Sequence, residues 1–369
     1  MDAPGSKVPG SCQAEAPLVG PQKTDILFVI DNSGSMAEEQ DGLARELPAF
    51  IEELEKGGGT AHDFQVGVIT TAVYQNARVG SAKDYREFKT QSGRLQAVGD
   101  ERILGSTDPD LVQKFAQLVK QGTDGSGQET PFEAIRLAVT DLAGVPLAEG
   151  GNAGFLRDGA RLLVVVVSDE DDCSELTRPP VVEVGTQSGR DYCTEQSASL
   201  GPVQAYVDIF KGLKDGTGAH REVLWAAIAP VSVNTKQAQS VVVDGVVRNI
   251  DCPTSYQPGY RQREMAEQFD AALANLDSIC RDSYRDTLLA IAQIANSRQS
   301  LEVDNVPDPR LLKVEVTRAD GEVQVCTLAN GGITFDEGSE THPSRVQFTE
   351  SCPRRASDLG VSLKMLCAG

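Results

Sequence analysis

Four apolar runs stand out along the chain: "DILFVI" at 25–30, "FQVGVIT" at 64–70, "RLLVVVV" at 161–167 and "VLWAAIA" at 223–229. They are rich in β-branched residues and continuous rather than alternating, the pattern of strands covered on both faces. Between them apolar positions recur with helical spacing. Residues 36–55 set Met36, Leu43, Leu47, Phe50, Ile51 and Leu54 on one stripe, and residues 131–143 do the same with Phe132, Ile135, Leu137, Ala138 and Leu142. Further helical patterns cover 109–120, 202–214, 263–276 and 284–295. Strands alternating with helices predict an α/β fold with a doubly wound, mostly parallel, Rossmann-like sheet. Residues 72–108 and 170–201 follow neither period and are expected to be irregular insertions on one rim of that sheet.

The pattern changes from Leu301. Short alternating segments, "LLKVEVT", "EVQVCTL", "GITF", "RVQFT" and "GVSLKML", are separated by Gly, Asn and Pro. The expected organisation is a linker over 1–22, an α/β domain over 23–298 and a small β-rich unit over 299–369. The opening "MDAPGSKVPGSC" is Pro/Gly/Ser-rich and has no apolar signal core. A Met set directly before it suggests that an export signal has been removed.

Composition narrows the function classes. The chain has 369 residues and a formal net charge of -20. That charge disfavours nucleic acid and anionic membrane surfaces as partners and favours cations. No stretch approaches the ~20 apolar residues of a membrane helix. Only three histidines occur, His62, His220 and His342, and none of the eight cysteines forms a C-x-x-C pair, which argues against a zinc site. Well-spread cysteines in even number fit disulfides in an oxidising compartment. The pairing Cys173–Cys193 would staple the insertion after the third run, and Cys252–Cys280 the next. Eight cysteines allow 105 pairings, and for the remaining four Cys326–Cys352 within the β-unit and Cys12–Cys367 across the chain ends are one choice that sequence does not settle. There is no G-x-S-x-G, H-E-x-x-H or P-loop, so the reading is not an enzyme.

The candidate chemistry sits where the apolar runs stop. "DNSGS" follows the first run and supplies Asp31, Ser33 and Ser35. "SDEDDCS" follows the third and supplies Ser168, Asp169, Glu170, Asp171 and Asp172, while the helix-opening loop "GTDGSGQETPFEA" supplies Thr130. In a parallel α/β sheet, ligands bind beyond the carboxyl ends of the strands. Oxygen groups converging there suit a hard cation, Mg²⁺ first, with Mn²⁺ or Ca²⁺ as alternatives. Local capping explains part of this pattern, since Ser35–Glu38 and Thr130–Glu133 both read as capping boxes. It does not explain Asp31, Ser33 and Asp169 together.

The three segments "DNSGS", "QETP" and "SDE", in this order and each at a strand or helix boundary, resemble the von Willebrand factor A domain and its metal-ion-dependent adhesion site. The resemblance spans about residues 23–297. It implies Asp31, Ser33, Ser35, Thr130 and Asp169 as metal ligands, with Gln128-Glu129 where many members carry glycine. Glu38 and Glu39 fall where integrin-type members hold an adjacent regulatory ion. Either Glu38 and Glu39 or the acidic run containing Asp171 and Asp172 could hold a second cation, although such residues are more often a charged helix start and a solvated loop. The segments "FVIDNSGSMAEEQ", "VVVVSDEDDCS" and "DSICRDSYRDTL" also resemble exported, lipid-anchored surface proteins of the myxobacterial kind. This implies an outer-membrane or periplasmic location and an anchor upstream. The implied function is metal-dependent adhesion to a protein or surface that presents a Glu or Asp carboxylate. The alternative is a structural or assembly subunit of an envelope, motility or secretion complex, in which the metal mainly stabilises the fold. An accessory role in a chelatase-like machine ranks below both.

Overall fold

The computed structural model describes residues 14–15, 23–55, 63–79, 81–185, 191–244, 246–250, 252–255, 257–296, 300–303, 306, 308–318, 321–337, 344–349, 351–352 and 360–365. The short strand β1 (Ala14–Glu15) aside, the chain runs β2 (Lys23–Ile30), α1 (Ala37–Glu55), β3 (Asp63–Thr70), β4 (Tyr74–Val79), β5 (Ala82–Glu87), β6 (Leu104–Gly105), α2 (Leu111–Leu118) and α3 (Pro131–Val139). It continues through β7 (Arg161–Val167), α4 (Tyr192–Glu195), α5 (Val203–Lys211), β8 (Val223–Ala229), β9 (Ser240–Val243), β10 (Val246–Asn249), α6 (Tyr260–Phe269), β11 (Leu276–Ser278) and α7 (Arg285–Asn296). The last part holds β12 (Ser300–Val303), β13 (Leu312–Thr317), β14 (Val323–Cys326), β15 (Ile333–Asp336), β16 (Ser344–Phe348) and β17 (Gly360–Met365).

The fold is mixed α/β. Its central sheet has the order β11-β8-β7-β2-β3-β6, parallel except for β6, which runs antiparallel to β3. The four apolar runs are its four central strands. Successive side chains of a strand face opposite sides, and β2 shows why no polar face is left. Ile26, Phe28 and Ile30 pack with α1, α2 and α7, while Leu27 and Val29 pack with residues of α3, α5 and α6. Phe28 meets Phe50 edge-on at 5.6 Å and Phe115 at 5.0 Å. Burial of such a ring stabilises by roughly 1.5–3 kcal/mol.

Three segments depart from the sequence pattern. Residues 72–108 are not wholly irregular: β4 and β5 form an antiparallel hairpin and β6 closes the sheet edge. The helix expected over 263–276 runs instead from Tyr260 to Phe269, and Leu276 belongs to the edge strand β11. The segment expected as a linker contributes β1, which pairs with β17.

Two compact units are present, one of residues 22–295 and one of 296–369 joined by the N-terminal segment to Pro21. The described residues of the latter are mostly β, with sheet orders β1-β17-β13-β14 and β12-β16-β15 around Leu301, Leu312, Val314, Val316, Ile333 and Val346. Disulfides join Cys173 to Cys193, Cys252 to Cys280 and Cys326 to Cys352. The expected pair Cys12–Cys367 and His62 lie outside the described residues.

Candidate metal centre

Strand register builds the site. Ile30 is level with both Thr70 and Val167, so Asp31, Thr71 and Ser168 leave the sheet side by side. Backbone hydrogen bonds hold them there: Asp31 N–H donates to Val167 C=O at 2.9 Å and Thr71 N–H to Ile30 C=O at 3.2 Å. Asp31 is fully buried. Its Oδ1 accepts the Ser33 backbone N–H at 2.8 Å, the local turn that Asp makes readily. Its Oδ2 accepts the Ser168 hydroxyl at 2.6 Å. Gln40, one turn into α1, donates to the Asp31 carbonyl at 2.8 Å and the Gly122 carbonyl at 2.9 Å, tying the first loop to the second.

The Ser33 and Ser35 hydroxyls lie 3.3 Å apart, and Ser35 stands near the Asp169 carboxylate. The structure thus brings together Asp31, Ser33, Ser35 and Asp169. Thr130 stands beside them, but its hydroxyl donates to the Thr71 carbonyl at 2.8 Å and makes no side-chain cap on α3. That helix is capped from the third loop instead: Phe132 N–H donates to Asp172 Oδ1 at 3.1 Å and Glu133 N–H to the Ser174 hydroxyl oxygen at 3.0 Å. The capping-box reading of Thr130 is therefore corrected.

The acidic run after β7 divides in two. Asp171 accepts the backbone N–H groups of Arg261 and Gln262 at the start of α6. Asp172 is paired with Arg261 at 2.9 Å. Both serve as remote caps where helix N–H groups lack partners. Asp169 and Glu170 face the other way. Of the two glutamates at the start of α1, Glu38 is exposed and Glu39 is half-buried near Asp31 and Asp169, with Oε2 unpartnered.

Glu129 is not among the ligands that the resemblance implies. It is buried; Oε2 accepts the Thr71 hydroxyl, and its carboxyl reaches that of Asp31. Nothing in a single sequence distinguishes it from a solvated loop acid; only its burial does.

The electrostatics follow from crowding. Burial pushes the Asp169 carboxyl up to about 8, and the Asp31 charge adds to this. Burial, then Asp31 and Glu170, hold Glu129 well above its ordinary range. Burial, then Asp169 and Asp31, raise Glu170. Asp31 is raised by burial against the pull of its Ser168 and Ser33 hydrogen bonds. Among the described residues no Lys or Arg is set against these four acids.

Whether the donor set fits a cation is decided by its unpartnered atoms. Asn32 Oδ1, Glu39 Oε2, Glu129 Oε1 and Asp169 Oδ1 are buried acceptors without a hydrogen-bond partner. Such atoms are costly to bury, the more so when charged. Every one is a hard oxygen, as Mg²⁺ and Ca²⁺ require. Among the described residues no three Asp, Glu, His or Cys side chains form a ready-made metal cluster, so a cation would draw on serine hydroxyls and water as well. The residues present fit on those terms.

No family model matches the chain, and no curated protein matches it. Solved structures to which it is similar include a von Willebrand factor type A protein from Catenulispora acidiphila, at 11% identity and a TM-score of 0.38, covering 94% of this chain and 57% of that one. The pilus adhesin SpaC from Lactobacillus rhamnosus GG, in an open conformation, is 11% identical with a TM-score of 0.36 over 95% of this chain and 39% of that one. Proximal thread matrix protein 1 from the mussel byssus is 11% identical with a TM-score of 0.35 over 79% and 51%. The chain thus spans between 39% and 57% of the length of these structures. Likenesses this distant carry no argument about function, which rests on the geometry above.

Proposed function

We propose that this chain is an exported adhesion or protein-binding module of the von Willebrand factor A type, and not an enzyme, that holds a divalent cation at Asp31, Ser33, Ser35, Thr130 and Asp169. The observation that carries this reading is the buried set of carboxylates and hydroxyls at the carboxyl rim of the sheet, with oxygens that no protein donor satisfies among the described residues. Mg²⁺ is the expected ion, with Mn²⁺ or Ca²⁺ as alternatives. When bound, such an ion offers an open position to a carboxylate oxygen of a partner protein or surface. The chain's own residues fix the first donor: Ser33 N–H and the Ser168 hydroxyl orient Asp31. Three disulfides support an oxidising compartment, and we place the protein at the cell surface or in the periplasm, with a lipid anchor upstream. Among the described residues no helix is long and apolar enough to cross a membrane.

Isothermal titration with Mg²⁺, Mn²⁺ and Ca²⁺ tests the reading, together with capture from an envelope fraction in Mg²⁺ and in chelator. Saturable heat and cation-dependent capture, both lost in Asp31→Ala, are expected. Absence of heat with all three ions would end it. A second reading has its own support: Asp31, Asp169 and Glu129 are at most 2% exposed, a depth that suits an ion stiffening an assembly subunit. Heat without cation-dependent capture would favour that role.

A further inference from the structure

Among the described residues of 22–295, every exposed large apolar side chain but Leu147 lies on a segment that leaves the carboxyl end of β3, β7 or β8. Apolar surface gathered in this way marks an interaction face. Four of these side chains sit on the ribbon β9–β10 and its exit: Val241, Val242 and Val243 are 44%, 66% and 43% exposed, and Ile250 is 49%. Val241 and Val243 lie on one face of the ribbon and Val242 on the other, so both faces carry exposed valine. Two strands alone are marginal in water, and a stable sheet needs a third. Ile250 N–H donates to Gln239 C=O at 3.1 Å. That bond sets the alternation: Val241 and Val243 bond across to β10, while the N–H and C=O of Val242 point away from it. Among the described residues no strand lies against that side. The β10 side is less open. Val247 is half-buried, and Asn249 is buried with Nδ2 donating to Pro230 C=O at 3.2 Å and to Ser255 Oγ at 2.7 Å. The foot of the ribbon is tied to the cation rim. Asp171, two residues past Asp169, accepts Arg261 N–H at 3.0 Å, and the neighbouring Tyr260 donates its hydroxyl to Ser240 Oγ at 2.9 Å.

We propose that the open edge of β9 takes an extended segment of the partner protein as a third strand, while a carboxylate of the same partner reaches the cation position. This rests on the reading of the rim as a cation-dependent protein-binding face. An extended backbone is the occupant that pairs with Val242 N–H and C=O and also lays side chains beside valines on both faces. A second copy of the chain is a worse fit on two counts. Each copy carries a net charge of -20, and like charges repel. A strand the length of Ser240–Val243 extends only about 13 Å, and pairing along it covers far less than the ~1,200 Å² of a stable interface. The added segment therefore needs a second hold, and the cation position on the same rim supplies one.

The probe is a synthetic peptide: a block of alternating valine and threonine, a glycine–serine linker reaching about 20 Å, and one glutamate at its end. Fluorescence anisotropy follows its binding to the full chain in Mg²⁺ and in chelator. Binding in Mg²⁺ is expected. It should weaken at least about tenfold when every amide of the valine–threonine block is N-methylated, when the glutamate is replaced by glutamine, and when chelator is added. Val242→Pro removes the outward N–H and no bond to β10. It should weaken peptide binding to the same degree, while the heat of Mg²⁺ titration and the melting temperature stay as in the unaltered chain. If cation-dependent binding ignores both N-methylation and Val242→Pro, the inference fails and the cation reading stands. If N-methylation weakens binding but chelator and glutamine do not, the ribbon takes strands without the ion, and the shared docking proposed here fails. No binding at millimolar peptide overturns the inference, and the Mg²⁺ heat then shows separately whether the cation reading survives. Dimerisation of the unaltered chain in sedimentation, lost in Val242→Pro, would seat a second copy on β9 and overturn the inference as well.

Discussion

Strand β2 buries an aspartate towards each end, and the two are satisfied in opposite ways. Asp25, fully buried near the start, accepts the Arg157 Nε at 2.7 Å and its backbone N–H at 2.8 Å, with Arg221 at 3.6 Å. Arg157 also pairs with Asp63 on β3. Burial pushes the Asp25 carboxyl up, and the guanidinium pulls against it. Asp31, equally buried just past the other end, is met by hydroxyls, a backbone N–H and another carboxyl. A carboxylate and a guanidinium can close a buried charge within one chain. Where the chain offers only hydroxyls and further acids, we propose that a cation from solution supplies the missing charge. One rim of the sheet is closed by an ion pair within the chain, and the other has none among the described residues.

The sharpest way to break this contrast is to unpair the closed rim. Arg157→Ala leaves Asp25 with only the more distant Arg221 and is expected to destabilise the fold by about 3–5 kcal/mol, whether or not cations are present. Urea unfolding measures it, and a loss under 1 kcal/mol would mean that the closed rim was never closed by charge. The open rim should respond to solution instead. At a cation concentration about 100 times Kd the unaltered protein should gain about 2.7 kcal/mol, and Asp31→Asn should gain nothing. Melts with Mg²⁺ or Ca²⁺ against chelator give both values. An equal gain in Asp31→Asn would place the ion elsewhere. The third change sharpens how the open rim is held. A Cβ on Gly125 would lie 2.2 Å from Asn32 Oδ1 and 2.6 Å from the Asn32 carbonyl oxygen, which accepts the Gly125 N–H. Gly125→Ala is therefore expected to cost about 1–3 kcal/mol by overpacking and to weaken cation binding as the first loop shifts. Unchanged stability would show that the loops yield freely there.

The central strands were legible because burial on both faces writes a continuous apolar run, as "RLLVVVV" does in β7. The hairpin β4–β5 was not, because "AKDYRE" is exposed along its whole length and shows no alternation. Its pairing is set by cross-strand backbone register rather than by a core face. The helix ending at Phe269 was overextended because Leu273 and Leu276 continue the helical spacing, although Leu276 packs as part of a strand. In the site, the order of "DNSGS" and "SDE" placed Asp31, Ser33, Ser35 and Asp169 together. Which acids of the run 169–172 face the site and which cap helices depends on where α3 and α6 begin in space. The same tertiary dependence hid Glu129 and turned the Thr130 hydroxyl to Thr71.

The division of the run after β7 also has a mechanical side. Asp169 points at the rim, while Asp171 grips the first turn of α6 and Asp172 the first turn of α3. A tug on Asp169 is carried through two or three peptide units into the ends of two helices on one side of the sheet. Load applied at the rim would be shared between two rods instead of being absorbed by a slack loop.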